Sequence, residues 1–171
     1  MIDLWERLRN YFDADDGSLP EVFIEKLSSQ EVCNVYRWIR SQCDVYCAGG
    51  DPTLWDRVEQ RDVPIKSIDS PAELVVAERA EPFRHGLTNL RISGVDLPHL
   101  TIAICPNTIT FDYRMGSEWG ATQLNAFFDL LFFIQKMVPG AIISHAFEGA
   151  ADRSEGFTEA WSIFRREKQS A

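Results

Sequence analysis

The sequence predicts an α+β fold: an antiparallel β meander packed against a long buried helix, with additional N- and C-terminal helices. Three observations lead there. Apolar and polar residues alternate with a period of two between Phe83 and Arg114. The segment Leu124–Val138 is apolar around most of a helical circumference. Segments near both ends of the sequence repeat apolar residues at helical spacing. The 171 residues are 45% hydrophobic and 12% aromatic. A chain of this size buries about two-thirds of its unfolded surface in one core. A single domain spanning 1–171 is expected, with no repeat and no linker.

The elements follow in order. In "IDLWERLRNYF", Leu4, Leu8 and Phe12 share a helical face, and "DADDGSLP" ends it. "EVFIEKL" reads as a short strand with Val22 and Ile24 on one side. "SSQEVCNVYRWIRSQC" carries the strongest helix signature. Ser28 and Glu31 form a capping box, and Val32, Val35, Tyr36 and Ile39 follow on one face. "VYCAGGDP" breaks the pattern, and Asp51 with Pro52 predicts a short helix through "TLWDRVEQ". "SPAELVVAERAEP" predicts a helical turn passing into extended chain before Pro82.

"FRHGLTNLRI", "HLTIAIC" and "TITFDYR" are the meander strands, separated by the turn segments "SGVDLP" and "PN". The next helix is capped by Ser117 and stopped by Pro139 and Gly140. Its face of Leu124, Phe127, Phe128, Leu131, Ile134 and Val138 is extended by Phe132 and Phe133, and it should cross the inner side of the sheet. "AIISHAF" is a further strand. "EGFTEAWSIFRRE" is a last helix aligning Phe157, Trp161 and Phe164.

Seventeen basic residues face 26 acidic ones, for a formal charge of -9. No basic stripe is available to displace counterions from a nucleic acid, and an anionic membrane surface is disfavoured for the same reason. The acidic balance suits a cationic protein partner. "MIDLWERLRNYF" lacks a signal-peptide pattern, and the most apolar run, "LNAFFDLLFFI", is interrupted by Asp129 and falls short of the roughly 20 residues that span a bilayer. A soluble, cytoplasmic bacterial protein is the expectation.

Cys33, Cys43, Cys47 and Cys105 include one C-x3-C pair with no second cluster and no nearby His, so buried free thiols are expected in place of a zinc site. The acidic loop "DADDG" fails as an EF-hand, because aligning Gly17 with the loop glycine puts Phe12 and Phe23 at ligand positions. No dinucleotide, Walker, zincin or nucleophile-elbow motif occurs. No catalytic residue, cofactor or metal is assigned.

"EPFRHGLTNL" resembles the opening motif of the histidine phosphatases, and "IISHAFEG" resembles their second histidine segment. That resemblance implies a hydrolase using Arg84, His85 and His145. It requires the first His at the end of a central parallel strand. Here the approach "VVAERAEPF" is charged and interrupted by Pro82, and the surrounding pattern is antiparallel. The competing expectation is that Arg84 and His85 simply alternate along a strand.

A second resemblance covers more of the chain. "DADDGSLPEVFIEKLSSQEVCNVYRWI" and "ITFDYRMGSEWGATQLNAFFDLLFF" are similar in general style to immunity proteins of bacterial polymorphic-toxin systems. The resemblance implies a non-catalytic inhibitor that binds a cognate toxin with a cationic cleft. Two segments offer the acidic and aromatic groups such a face needs: the loop with Asp13, Asp15 and Asp16, and the strand–helix junction with Asp112, Tyr113, Arg114, Glu118 and Trp119. For Trp119 the competing expectation is a core residue packing the first helical turn. A third possibility is an accessory module that binds a small molecule or forms a homodimer through the apolar helix.

Overall fold

The computed structural model describes residues 1–171. The elements in chain order are α1 (Leu4–Leu8, continued by a 3-10 turn, Arg9–Tyr11), β1 (Glu21–Glu25), α2 (Ser29–Arg40), β2 (Asp44–Tyr46), β3 (Thr53–Asp56), β4 (Arg61–Pro64), α3 (Pro71–Val76), β5 (Phe83–Thr88), β6 (Arg91–Ile92), β7 (Val95–Asp96), β8 (Leu100–Ile104), β9 (Ile109–Tyr113), α4 (Ala121–Met137), β10 (Ile142–Ala146) and α5 (Glu155–Ser170). The predicted α+β class holds.

Six strands form one sheet in the order β10-β1-β9-β8-β5-β2. Every pairing in it is antiparallel. The meander expected from Phe83 onward is β5, β8 and β9. The strand β1, from the N-terminal part, inserts between β9 and β10.

The register sorts side chains onto two faces. His145, Val22, Phe111, Ile102 and His85 lie side by side in one inner row. The helices α2, α4 and α5 reach this face through Tyr36 on His85, Phe127 on Phe111 and Phe157 on His145, and Phe12, just after the 3-10 turn that follows α1, packs on Tyr113. The other face, with Glu21, Phe23, Thr101, Ala103, Thr110 and Arg84, has no helical layer, as suits an antiparallel sheet with one buried side. The 41 residues of the hydrophobic cluster connect all these elements into one core.

The long helix is shaped by its sequence. Leu124, Phe127, Phe128, Leu130, Leu131 and Ile134 are buried. Asp129, which interrupts the apolar run, accepts from Ser93 Oγ (2.9 Å) and pairs with Lys168 (2.7 Å). Gln135 ties off the far end by donating to the carbonyls of Val138, Pro139 and Ala141. No helix is long and apolar enough to cross a membrane.

Four expectations are corrected. "TLWDRVEQ" is a hairpin between β3 and β4, because Leu54 and Asp56 are buried with period two and Asp56 Oδ1 accepts from Val58 N and Glu59 N, closing a turn. "FRHGLTNLRI" breaks at Asn89 (φ 57°), and Ile92 leaves the main sheet to form the hairpin of β6 and β7 through Ser93 and Gly94. The helix α4 starts at Ala121, not Ser117, because the Trp119 side chain is drawn into the core and its indole N–H donates to Arg114 O. Of the four free cysteines only Cys33 is buried, and Cys47 is exposed.

Candidate functional site

Register places three loops at one end of the sheet. Glu21 opposes both Asp112 and Ala146, so the loops before β1, after β9 and after β10 leave from the same side. Hydrogen bonds knit them together. Gly116 N donates to Phe12 O (2.8 Å), Arg114 Nε donates to Asp15 Oδ2 (2.6 Å), and Leu19 N donates to Glu148 Oε2 (2.8 Å). The result is a surface assembled from three segments that are separate in sequence, around Asp13–Leu19, Arg114–Glu118 and Phe147–Glu148.

The first loop is shaped by its own carboxylates. Asp15 Oδ1 accepts from Gly17 N (2.8 Å), and Asp16 Oδ1 accepts from Ser18 N (2.9 Å) and Ser18 Oγ (2.6 Å). These successive turns need Gly17 at φ 83°. The same bonds hold both acids below the ordinary carboxylate range, Asp15 through Gly17 N–H and then Arg114, Asp16 through the Ser18 hydroxyl and then its N–H. Asp13, Asp15, Asp16, Glu118 and Glu148 are all exposed here, with Arg114 paired among them. Asp15, Arg114, Met115, Gly116, Ser117 and Glu118 line an open depression of ≈ 440 Å³.

Not all of the eight residues singled out in the sequence reach this surface. Asp13, Asp15, Asp16, Arg114 and Glu118 do. Tyr113 is 1% exposed and Trp119 4%, and both pack around Phe12 and Phe127. Asp112 is 5% exposed, on the open side of the sheet beneath Arg84. Burial pushes its pKa up, against the opposing pull of Arg84. The apolar groups exposed at this end are instead Leu19 and Phe147, each 38% exposed. Phe147 stacks on Tyr11 with centroids 5.2 Å apart. A signal for both was present: each is a lone large apolar residue beside a turn segment.

The phosphatase constellation does not assemble. His85 and His145 sit on strands four steps apart in the sheet, about 19 Å at roughly 4.8 Å per step. Arg84 projects from the opposite face to His85. Each histidine is instead saturated within the core. His85 Nδ1–H donates to Gly86 O (2.8 Å), so Nε2 accepts from Tyr36 O–H (2.9 Å), whose oxygen accepts from Arg40 (3.1 Å). Tyr113 O–H donates to Tyr11 O (3.0 Å) and therefore accepts from His145 Nε2–H (2.9 Å), leaving Nδ1 to accept from Ser154 Oγ–H (2.7 Å). The two rings are thus opposite tautomers, both neutral. Burial lowers both pKa values, that of His145 to about 4. Gly86 completes the motif for a steric reason. A Cβ there would meet His99 Cε1 at 2.7 Å and Tyr46 O at 2.8 Å.

Fold and site together define an α+β protein with a one-sided sheet and a carboxylate-rich loop end. No protein-family profile matches the sequence, and no curated protein is detectably similar to it. Among solved structures it is similar to a chain of the toxic C-terminal tip of CdiA from Pseudomonas aeruginosa in complex with immune protein, at 15% identity and a TM-score of 0.48, over 80% of this chain and 92% of that one. It is also similar to the Pseudomonas aeruginosa T6SS protein PA0821, at 10% identity and a TM-score of 0.36, over 88% of this chain; it spans about half (51%) of that one. Both likenesses are distant.

Proposed function

We propose that this protein is an immunity-type inhibitor, binding a cognate bacterial toxin through the loop end of its sheet. The observation that supports this reading most is the convergence of Asp13, Asp15, Asp16, Glu118 and Glu148 from three separate loops around two exposed apolar side chains. Carboxylates held ionised at a surface raise the encounter rate with a cationic partner and select against anionic ones. Leu19 and Phe147 supply the apolar contact that charge alone does not, with Phe147 as the anchor. The two histidines of the phosphatase-like segments, His85 and His145, spend their hydrogen bonds on the core. On this reading the loop end acts by binding, without turnover.

The test is co-expression with the product of the adjacent reading frame. The wild type is expected to co-purify with that product and to restore growth against it, with retention falling as salt rises. Asp15→Lys with Glu118→Lys is expected to lose the partner, and Glu118→Lys alone, at an exposed side chain bonded to nothing in the fold, to weaken it while melting like the wild type. A complex that forms but ignores salt and both substitutions places the contact elsewhere on the molecule. Failure of the wild type to retain or neutralise that product counts against the inhibitor reading itself.

A further inference from the structure

The open side of the sheet carries a cleft of ≈ 290 Å³ across β2, β5, β8 and β9. Strand pairing sets Tyr46, Gly86, Thr101 and Asp112 in one row along it, each opposite the next. Gly86 leaves room for the His99 ring, which lies over it and meets Tyr46 edge-on with centroids 5.4 Å apart. His85 and His145 spend both ring nitrogens on the fold, whereas His99 makes no hydrogen bond at all. Arg84 crosses the same face to Asp112 Oδ2, its one partner, and its side chain stays 62% exposed, so most of its N–H donors are free. The polar side-chain atoms sealed inside the fold without a partner are Arg40 Nε, Gln135 Oε1 and Ser144 Oγ. Asp112 Oδ1 is not one of them. It opens on the cleft, and the Thr101 hydroxyl adjoins the carboxylate.

We propose that this cleft binds a free α-amino acid with an apolar or aromatic side chain. The Arg84–Asp112 pair turns two opposite charges toward solvent side by side, one with spare donors and one with a spare acceptor. Its complement is a carboxylate and an ammonium carried on a single carbon. An anion alone would also face Asp112, and a cation alone would also face Arg84, so a single charge meets repulsion as well as attraction. A zwitterion satisfies both and adds no net charge to a protein of formal charge -9. The ammonium takes Asp112 Oδ1 and the Thr101 hydroxyl, the carboxylate takes Arg84, and the side chain lies against Tyr46, His99 and Leu19, which line the same cleft. The volume is close to the lower end of small-ligand clefts, about 300 Å³. The site shares only Leu19 with the loop end and does not rest on the inhibitor reading.

The experiment is a backbone 15N NMR titration of the full chain with L-phenylalanine and L-leucine at constant ionic strength. Three further arms use N-acetyl-L-phenylalanine, which lacks the ammonium, L-phenylalaninamide, which lacks the carboxylate, and glycine, which lacks the side chain. Saturable shifts at residues 46–48, 84–86 and 99–101 are expected with L-phenylalanine or L-leucine. Each of the other three ligands should bind at least about tenfold more weakly, the loss of one charge-assisted bond or of the apolar contact. Arg84→Gln should bring L-phenylalanine and L-phenylalaninamide to equal affinity, because the carboxylate then has no partner. Tyr46→Ala, at a half-exposed side chain, should weaken L-phenylalanine while the melting midpoint stays near that of the wild type. The ligand series is read on the wild type, so the outcome does not depend on either variant folding. No saturable shift with L-phenylalanine or L-leucine, or shifts confined to other residues, overturns the proposal. Either charge-deleted analogue binding as tightly as L-phenylalanine overturns the zwitterion, and glycine binding as tightly overturns the apolar side chain.

Discussion

Two sets of titratable groups in this molecule have lowered pKa values, and they mean opposite things. In the core, burial holds His145 at about 4 and lowers His85. At the loop end, hydrogen bonds lower Asp15 and Asp16 while solvent still reaches them. The first set is made neutral and inert, each ring nitrogen already committed to a hydroxyl or a carbonyl. The second is held ionised within reach of solvent, Asp15 with both oxygens in bonds to Gly17 and Arg114 and Asp16 bonded to Ser18 through Oδ1 alone. A shifted pKa marks a functional surface only when its cause leaves the group free to meet another molecule.

Breaking the core should cost most. Phe127→Ala removes a ring packed among Phe12, Phe111, Tyr113 and Trp119, and is expected to destabilise by about 3–5 kcal/mol in urea denaturation. Acid should act on the same region next. Because the folded pKa of His145 lies below its unfolded value of 6.5, the unfolded chain binds the proton first. Stability is therefore full above pH 6.5 and falls as pH drops toward 4, by at most about 3 kcal/mol for this group. His85 adds to the loss in the same sense, whereas Asp112, raised by burial, opposes it. His145→Leu should flatten the melting-temperature curve between pH 6.5 and 4.5; an unchanged curve would exclude His145 as the cause.

Smaller effects sharpen the boundary between the two regions. Gly86→Ala forces a Cβ against Tyr46 O, backbone that cannot swing away, and against His99; about 1–3 kcal/mol is expected, with His99→Ala restoring only part. Ser28→Ala opens the capping box of α2, where Ser28 Oγ accepts from Glu31 N and Glu31 returns the bond, and should cost about 1 kcal/mol. Glu118→Lys should leave the melting midpoint nearly where it was, since its side chain is exposed and bonded to nothing in the fold. A large loss there would make the loop end structural.

Much of this contrast was legible in the residues. The capping box at Ser28, the alternation of Leu100, Ile102 and Ile104, and the apolar wrap of α4 each encode their element locally. The place of β1 between β9 and β10 is not local information, because Val22 and Ile24 specify a buried face without naming the neighbours. "TLWDRVEQ" was lost to Asp56, whose side chain competes with a helix for the backbone N–H groups just after it. At the loop end, charge and turn chemistry picked out Asp13, Asp15, Asp16, Arg114 and Glu118, which the structure brings to one surface. Tyr113 and Trp119 were grouped with them by proximity in sequence, although the Ile109–Phe111–Tyr113 alternation already assigned Tyr113 to the inner face. Phe147 and Glu148 were not joined to it because only strand register brings the loop after β10 beside the first one, whereas Leu19 lies in the first loop's own segment and was passed over as part of the turn.

The central claim is that the loop end is the acting surface and the histidine rows are scaffold. It is tested most directly by the association rate of the purified pair in stopped flow, measured across ionic strength for the wild type and for Asp15→Lys with Glu118→Lys. The account predicts a wild-type rate that falls steeply with salt and a variant rate that is lower and nearly flat. Equal rates with equal salt dependence in the two proteins would contradict it.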